Sequence, residues 1–137
     1  MTDIKQASVE SSMQGKKFLY QQPELLTSET HGTKGITPSA HPFDFAKNER
    51  AIPLTLVEIS SAQRHYPVVF SSIDDPVPLA VVGLPGKGNL YVDAHGHWDS
   101  ACYVPSYLRC YPFALAMQDD GKRMLVADRA ATSITEN

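Results

Sequence analysis

The sequence lacks the features that mark exported, membrane-spanning or nucleic-acid-binding proteins. Residues 1–17 contain no apolar segment of the kind that an export signal needs, so we expect a cytoplasmic protein. The longest apolar run, Pro76–Pro85, is broken by prolines and a glycine and is shorter than the ~20 residues of a membrane span. No basic stripe accompanies the net charge of −3, which argues against binding to nucleic acid.

Cysteine is also scarce, because Cys102 and Cys110 are the only two in the chain. Two cysteines are too few for a disulfide framework. We interpret them as small thiols, buried or half-buried, of a protein in a reducing compartment.

The length of 137 residues indicates one folded domain. Residues 1–50 are rich in Ser, Thr, Gln, Lys and Gly, and we predict an N-terminal arm that is partly disordered, its first ~15 residues in particular. Within it, residues 31–42 show no periodicity and are predicted to be a loop with solvated histidines at 31 and 41. A single domain is expected over residues 51–129, followed by a polar tail at 130–137.

Short apolar runs separated by turn residues dominate the domain. Alternation and β-branched content predict strands over residues 52–59, 68–70, 77–84, 90–93, 113–118 and 122–128. Two alternating runs around Asp120-Gly121 predict a hairpin, and the Gly-rich stretch 85–89 predicts another. Because Pro78 cannot donate a hydrogen bond, we expect it at a sheet edge or outside the ladder.

Helices are expected to be few and short. Ser60 or Ser61 can cap a single turn that Pro67 ends, and Pro105 can begin a helix that stops before Pro112. No segment is long enough for the crossover helix of a βαβ unit. The predicted fold is α+β or mostly β: a small antiparallel twisted sheet, or a partly closed barrel, of about six short strands with one or two short helices.

The stretch from Asn89 to Pro112 holds the densest set of chemically capable side chains. Four metal-ligand types stand at alternate positions, and on an extended strand they share one face: Asp93, His95, His97 and Asp99. The fragment HGHWD matches the start of the metallo-β-lactamase motif HxHxDH, but Ser100 stands where the last histidine belongs. The alternative interpretation is a turn around Gly96 with solvated histidines. Cys102 beside these histidines is expected to be a small apolar side chain and not a nucleophile.

Aromatic side chains form the other candidate site of this stretch. Tyr, Trp and Arg combine a large apolar body with a polar tip, which is typical of binding hot spots and equally of a small core. Both interpretations stay open for the six residues of this set, which are Tyr91, Trp98, Tyr103, Tyr107, Arg109 and Tyr111.

The order of these motifs resembles the bacterial SapC family. The resemblance rests on Val57-Glu58, the segment Tyr66–Phe70, the block Leu90–Asp93 with Gly96 and Trp98, and the segment Tyr103–Phe113. It covers about Pro53 to Asp128 and implies a bacterial protein of a family named for an association with surface-layer genes. It supplies no catalytic or cofactor residues. Members of the family are typically longer. If this chain is a fragment of a longer domain, we expect it to expose an apolar edge and to self-associate.

Two functions remain open at this point. The first is a non-enzymatic binding or accessory protein that needs no cofactor and meets a protein or small-molecule partner through the aromatic set. The second is a metal-dependent enzyme centred on the segment from Asp93 to Asp99. The sequence favours the first, since no complete catalytic constellation is present.

Overall fold

The computed structural model describes residues 18–117 and 120–136. In these residues the chain forms ten short strands in four open antiparallel sheets of two or three strands each. Three α-helices and two 3-10 helices, none longer than four residues, join them. The predicted mostly β, antiparallel fold is therefore confirmed, although the strands are more numerous and shorter than expected.

The elements have the following bounds. The strands are β1 (Pro23–Leu25), β2 (Lys34–Ile36), β3 (Ala51–Pro53), β4 (Val68–Phe70), β5 (Pro78–Val81), β6 (Gly83–Leu84), β7 (Gly88–Asn89), β8 (Phe113–Met117), β9 (Arg123–Asp128) and β10 (Ile134–Glu136). The α-helices are α1 (Ser28–His31), α2 (Ile59–Ala62) and α3 (Ser106–Arg109), and the 3-10 helices are Asp44–Ala46 and Leu56–Glu58. Within the described ranges, no helix has the length and apolar character needed to cross a membrane.

The described residues form two compact units. Residues 18–38 and 111–136 make one, here called the terminal unit, and residues 39–110 make the other, here called the central unit. The predicted boundaries at residues 50 and 129 stay predictions. The expected disorder of the first ~15 residues lies outside the described residues.

The terminal unit is built on the sheet β1-β9-β8. Strands β8 and β9 pair from Phe113 with Ala127 to Met117 with Arg123, which confirms the hairpin predicted around Asp120-Gly121. Gly121 has φ of +79°, the left-handed conformation that glycine adopts most easily. β1 pairs with the opposite edge of β9, so β9 is the central strand of this sheet.

A second pair of strands in the terminal unit joins β2 to β10, with Ile36 opposite Ile134. β2 lies inside residues 31–42, so the loop predicted there is wrong for Lys34–Ile36. β10 lies inside residues 130–137, which were predicted as a tail. Each of these strands has only three residues, which is too short for a recognisable alternating pattern. Each forms because it pairs with a partner that is remote in sequence.

The central unit is built on the sheet β3-β5-β4, in which Ile52 lies opposite Ala80 and Val69 opposite Leu79. Its core consists of side chains with almost no exposure to solvent. They are Ala46, Ile52, Leu54, Ala62, Tyr66, Ala80, Val82, Trp98 and Leu108.

The strand predicted over residues 52–59 is wrong after Pro53. β3 ends there, and Thr55 begins a capping box in which its side chain and that of Glu58 bond each other's backbone N–H groups. The apparent alternation also misleads, since Leu56 and Val57 are 74% and 85% exposed. The single helical turn predicted after it is present as α2, but the predicted cap is wrong: α2 begins at Ile59 with Glu58 at its N-cap, so Ser60 and Ser61 lie inside the turn.

Two further predictions need correction in the β5 to β7 region. Pro78 pairs with Phe70 inside the central strand of its sheet. It is tolerated because it is the first residue of β5 and its carbonyl still accepts from Leu54 N at 2.8 Å. The hairpin around residues 85–89 is present, but its second strand is β7, and residues 90–93 make only an isolated bridge from Val92 to Trp98.

Candidate functional site

Trp98 lies in the core of the central unit and is only 7% exposed. Its ring stacks on Tyr91 at a centroid distance of 5.9 Å and meets Tyr66 and Phe43 edge to face. Its Nε1 donates to the Tyr66 hydroxyl at 3.1 Å, and that hydroxyl donates to the carbonyl oxygen of Tyr103. Burial raises the pKa of Tyr66, which keeps this hydroxyl a donor.

Tyr91 is half-buried in the same cluster and donates from its hydroxyl to His65 O at 3.0 Å. Two members of the predicted binding set, Tyr91 and Trp98, thus pack with Tyr66 and stabilise the fold of the central unit.

A tight turn centred on Gly96 brings Trp98 back to this cluster. The Asp93 carboxylate accepts from the backbone N–H groups of His95 and His97, each at 2.8 Å. The bond from His97 N–H is the main reason why the pKa of Asp93 is lowered. Gly96 has φ of +74°, and its carbonyl accepts from Phe43 N at 2.8 Å.

The structure does not assemble the four predicted metal-ligand positions into a site. Asp93 is occupied by backbone N–H groups, His95 and His97 are exposed, and the Asp99 carboxylate accepts from Ala101 N at 2.9 Å. Over residues 18–117 and 120–136, no three His, Cys, Asp or Glu side chains are grouped to hold a metal ion. The chain instead forms the turn around Gly96, which is the alternative interpretation of this segment.

The two loop histidines have different surroundings. His41 is exposed and donates from Nδ1 to His95 O at 2.6 Å. The His31 side chain is only 8% exposed, so its predicted solvation is wrong. Its Nδ1 accepts from Thr27 N at 3.3 Å, and a backbone N–H can only donate, so Nε2 carries the proton that it gives to Glu24 at 2.7 Å.

Glu58 is the principal polar residue of the central unit, and it is only 6% exposed. One oxygen accepts from the Tyr103 hydroxyl at 2.9 Å and from Ser106 N at 2.6 Å. The other accepts from Thr55 N, Thr55 Oγ1 and Ser106 Oγ at 2.9, 2.7 and 2.7 Å. Burial by itself would raise the pKa of Glu58, but the bonds from Ser106 and Thr55 lower it to about 2.

Sequence reasoning used Glu58 only as part of a family motif and missed this network. The signal was present, because Thr55-x-x-Glu58 is a capping-box pattern. The alternation of apolar residues around this pattern favoured the prediction of a strand instead. The bonds from Tyr103 and Ser106 could not be found in the same way, since they join residues far apart in sequence.

Arg109 is the exposed end of the Glu58 network. Its guanidinium carbon lies 5.6 Å from the centre of the Tyr103 ring, and its Nη2 donates to the Tyr103 hydroxyl at 3.3 Å. Tyr103 itself is half-buried, and burial followed by its bond to Glu58 raises its pKa. The network therefore runs from a buried carboxylate to a surface cation.

The remaining predicted residues lie in different surroundings. Tyr107 is half-buried on α3, and burial raises its pKa. Tyr111 belongs to the terminal unit, where its hydroxyl donates to the buried Asp128 carboxylate at 3.1 Å. Both cysteines are free; Cys102 is half-buried as predicted, whereas Cys110 is exposed, so the prediction of a buried or half-buried thiol is wrong there. Burial, with the Asp99 carboxylate beside it, raises the pKa of Cys102, which opposes its use as a nucleophile.

Comparison with known proteins adds one match. A family model described as SapC matches residues 26–137, which is wider than the resemblance seen in the sequence. No curated protein and no solved structure matches the chain.

Proposed function

This chain belongs to the SapC family, and we propose that it is a non-enzymatic binding or accessory protein of a bacterium. Its binding surface would be the exposed end of the Glu58 network, formed by Tyr103 and Arg109. The observation that carries this proposal is the network itself: a buried, ionised carboxylate that holds an aromatic ring and a guanidinium at the surface.

The chemistry of Glu58 favours binding over catalysis. A carboxylate offers about four acceptor positions, and Glu58 already accepts five hydrogen bonds. A pKa of about 2 also makes it a poor general base near neutral pH. Its role is then to fix the position of Tyr103 and Ser106, which favours binding because a preorganised surface loses little entropy when a partner docks.

The chemistry at the surface suggests what the partner carries. Arg109 is exposed, and its contact with Tyr103 uses one of the five N–H donors of a guanidinium. Those donors match a carboxylate in a bidentate pair. Leu56 and Val57 stand exposed directly before Glu58 in sequence. We therefore propose a protein partner that presents an acidic side chain next to an apolar one.

The compartment proposed for this protein is the cytoplasm. Two free cysteines, one of them exposed, fit a reducing environment.

Panning a displayed random peptide library on the full chain tests the proposed surface. We expect enrichment of peptides with an acidic residue next to an apolar one, and we expect Arg109→Ala to weaken their binding by about tenfold or more, the size of a hot-spot contact. Arg123→Ala, at an exposed position of β9, is the matched control and should bind as the wild type does.

Binding that survives Arg109→Ala unchanged, or a library that yields no acidic peptides, would sink the proposal. A circular dichroism spectrum identical to wild type shows that each variant is folded.

A further inference from the structure

Among residues 18–117 and 120–136, no strand pairs with the outer edge of β4 in the central unit. β4 pairs on one side with β5, in the order β3-β5-β4. Val81 N donates to Pro67 O at 2.9 Å and Ser71 N donates to Val77 O at 3.0 Å, so positions 67, 69 and 71 face β5. The backbone N–H and C=O groups of Val68 and Phe70 consequently face away from the sheet.

Apolar side chains surround this edge. Val69 is 43% exposed and Phe70 58%, and Ile73, in the turn that follows, is 97% exposed. An edge strand with free backbone groups and apolar side chains is a template for pairing with another strand.

We propose that β4 pairs antiparallel with β4 of a second copy of this chain, about a two-fold axis at Val69. In this register Val68 lies opposite Phe70 of the second copy, and each such pair exchanges two backbone hydrogen bonds. The two-fold axis generates the pair twice, so all four outward N–H groups and all four outward C=O groups of the two strands find partners. A self-complementary contact of this kind closes at two copies.

The charges at the two ends of β4 favour the same arrangement. Arg64 lies in the turn that precedes β4, and Asp74 and Asp75 lie in the turn that joins β4 to β5; all three are exposed. An antiparallel pair about Val69 places the end of β4 that carries Arg64 beside the end that carries Asp74 and Asp75 in the second copy. Opposite charges therefore meet at both ends of the contact, although each chain has a net charge of −3.

The size of the contact sets its strength. β4 has only three residues, so the pairing between the two copies is short. We expect a buried area below the ~1,200 Å² of standard interfaces and hence a weak, concentration-dependent dimer.

Sedimentation velocity of the full chain over a wide concentration range tests this inference. We expect a monomer–dimer equilibrium that Val69→Lys weakens by at least about fivefold, because the two-fold axis puts two ammonium groups opposite each other. Leu90→Lys, at a 57% exposed position of the same unit, is the matched control and should leave the dissociation constant unchanged.

Charge reversal supplies the second arm of the test. Arg64→Asp should weaken the dimer, and adding Asp74→Arg to the same chain should restore it. Non-specific apolar association would not show this rescue.

A chain that stays monomeric at every concentration would overturn the inference, as would a dimer that ignores both Val69→Lys and Arg64→Asp. A dimer that only Leu90→Lys weakens would place the contact elsewhere and overturn it too. This test is independent of the test of the proposed partner surface, because we expect Arg109→Ala to leave the dimer unchanged.

Discussion

At the scale of single residues, the buried carboxylates of this protein hold backbone in place. Glu58 accepts from the backbone N–H groups of Thr55 and Ser106, and Asp128 in the terminal unit accepts from those of Gln21, Gln22 and Ala130. Each satisfies donors that would otherwise be costly to bury. In both cases a tyrosine hydroxyl completes the set, from Tyr103 and Tyr111 respectively.

Replacing Glu58 with glutamine should destabilise the protein. A side-chain amide accepts through only one of its two polar atoms, so some of the five donors lose their acceptor in a nearly dry site. We expect Glu58→Gln to lower the free energy of unfolding by about 2–4 kcal/mol at neutral pH, measured by urea denaturation. Glu29→Gln, at an exposed position, should change it by less than about 0.5 kcal/mol. A Glu58→Gln protein as stable as the wild type would show that the network contributes little.

At the scale of elements, the turn centred on Gly96 determines where Trp98 lies. It reverses the chain between Val92 and Trp98, so the indole returns to the core while His95 and His97 stay exposed. The segment from Asp93 to Asp99, whose sequence suggests an extended row of metal ligands, is therefore a hairpin-like turn.

Gly96→Ala should disturb this turn for two reasons. The positive φ disfavours a side chain, and an added Cβ would lie 2.9 Å from His41 Cβ and 3.2 Å from Asp44 Cβ. Gly86→Ala is the matched control, because Gly86 has φ of +76° with no atom within 4 Å of the added Cβ. We expect Gly86→Ala to lower the free energy of unfolding by about 1 kcal/mol, and Gly96→Ala to lower it by at least about 1 kcal/mol more. Urea denaturation followed by Trp98 fluorescence measures both. Equal losses would mean that the contacts with His41 and Asp44 yield at no cost.

At the scale of the whole molecule, stability should depend on pH through Glu58. Its pKa is about 2 in the folded state against the ordinary glutamate value of 4.5, so folding favours the ionised form. The stabilisation is complete above the unfolded pKa and is lost as pH falls from about 4.5 through about 2. Asp93, whose pKa is also lowered, changes stability in the same direction.

Urea unfolding at neutral pH and at pH near 3 measures this dependence. The shift in the pKa of Glu58 corresponds to about 3 kcal/mol of stability. We expect the free energy of unfolding of the wild type to fall by a large part of this amount over that pH range. The Glu58→Gln protein lacks the titrating group, so its stability should fall less. Parallel pH profiles for the two proteins would contradict the assignment of the acid-sensitive step to Glu58.

Much of the fold could be predicted because it depends on local pattern. The hairpin at Asp120-Gly121 follows from two alternating runs and a turn sequence. The short helix after Pro105 could be predicted too, although Pro105 is its N-cap and α3 begins one residue later, at Ser106. The family could also be identified, because its motifs occur in order along the chain. Strands of three residues such as β2 and β10 have too little pattern of their own to be predicted.

The antiparallel, mostly β class, the positions of the main turns and the family all follow from local sequence, because they depend on periodicity and on residues with special backbone preferences. The grouping of polar and aromatic side chains into networks, in contrast, depends on tertiary packing. The bonds that join Glu58 to Tyr103 and Ser106, or Trp98 to Tyr66, cross dozens of residues of sequence. No local spacing encodes such contacts, since they form only when the packed core brings the residues within hydrogen-bond distance.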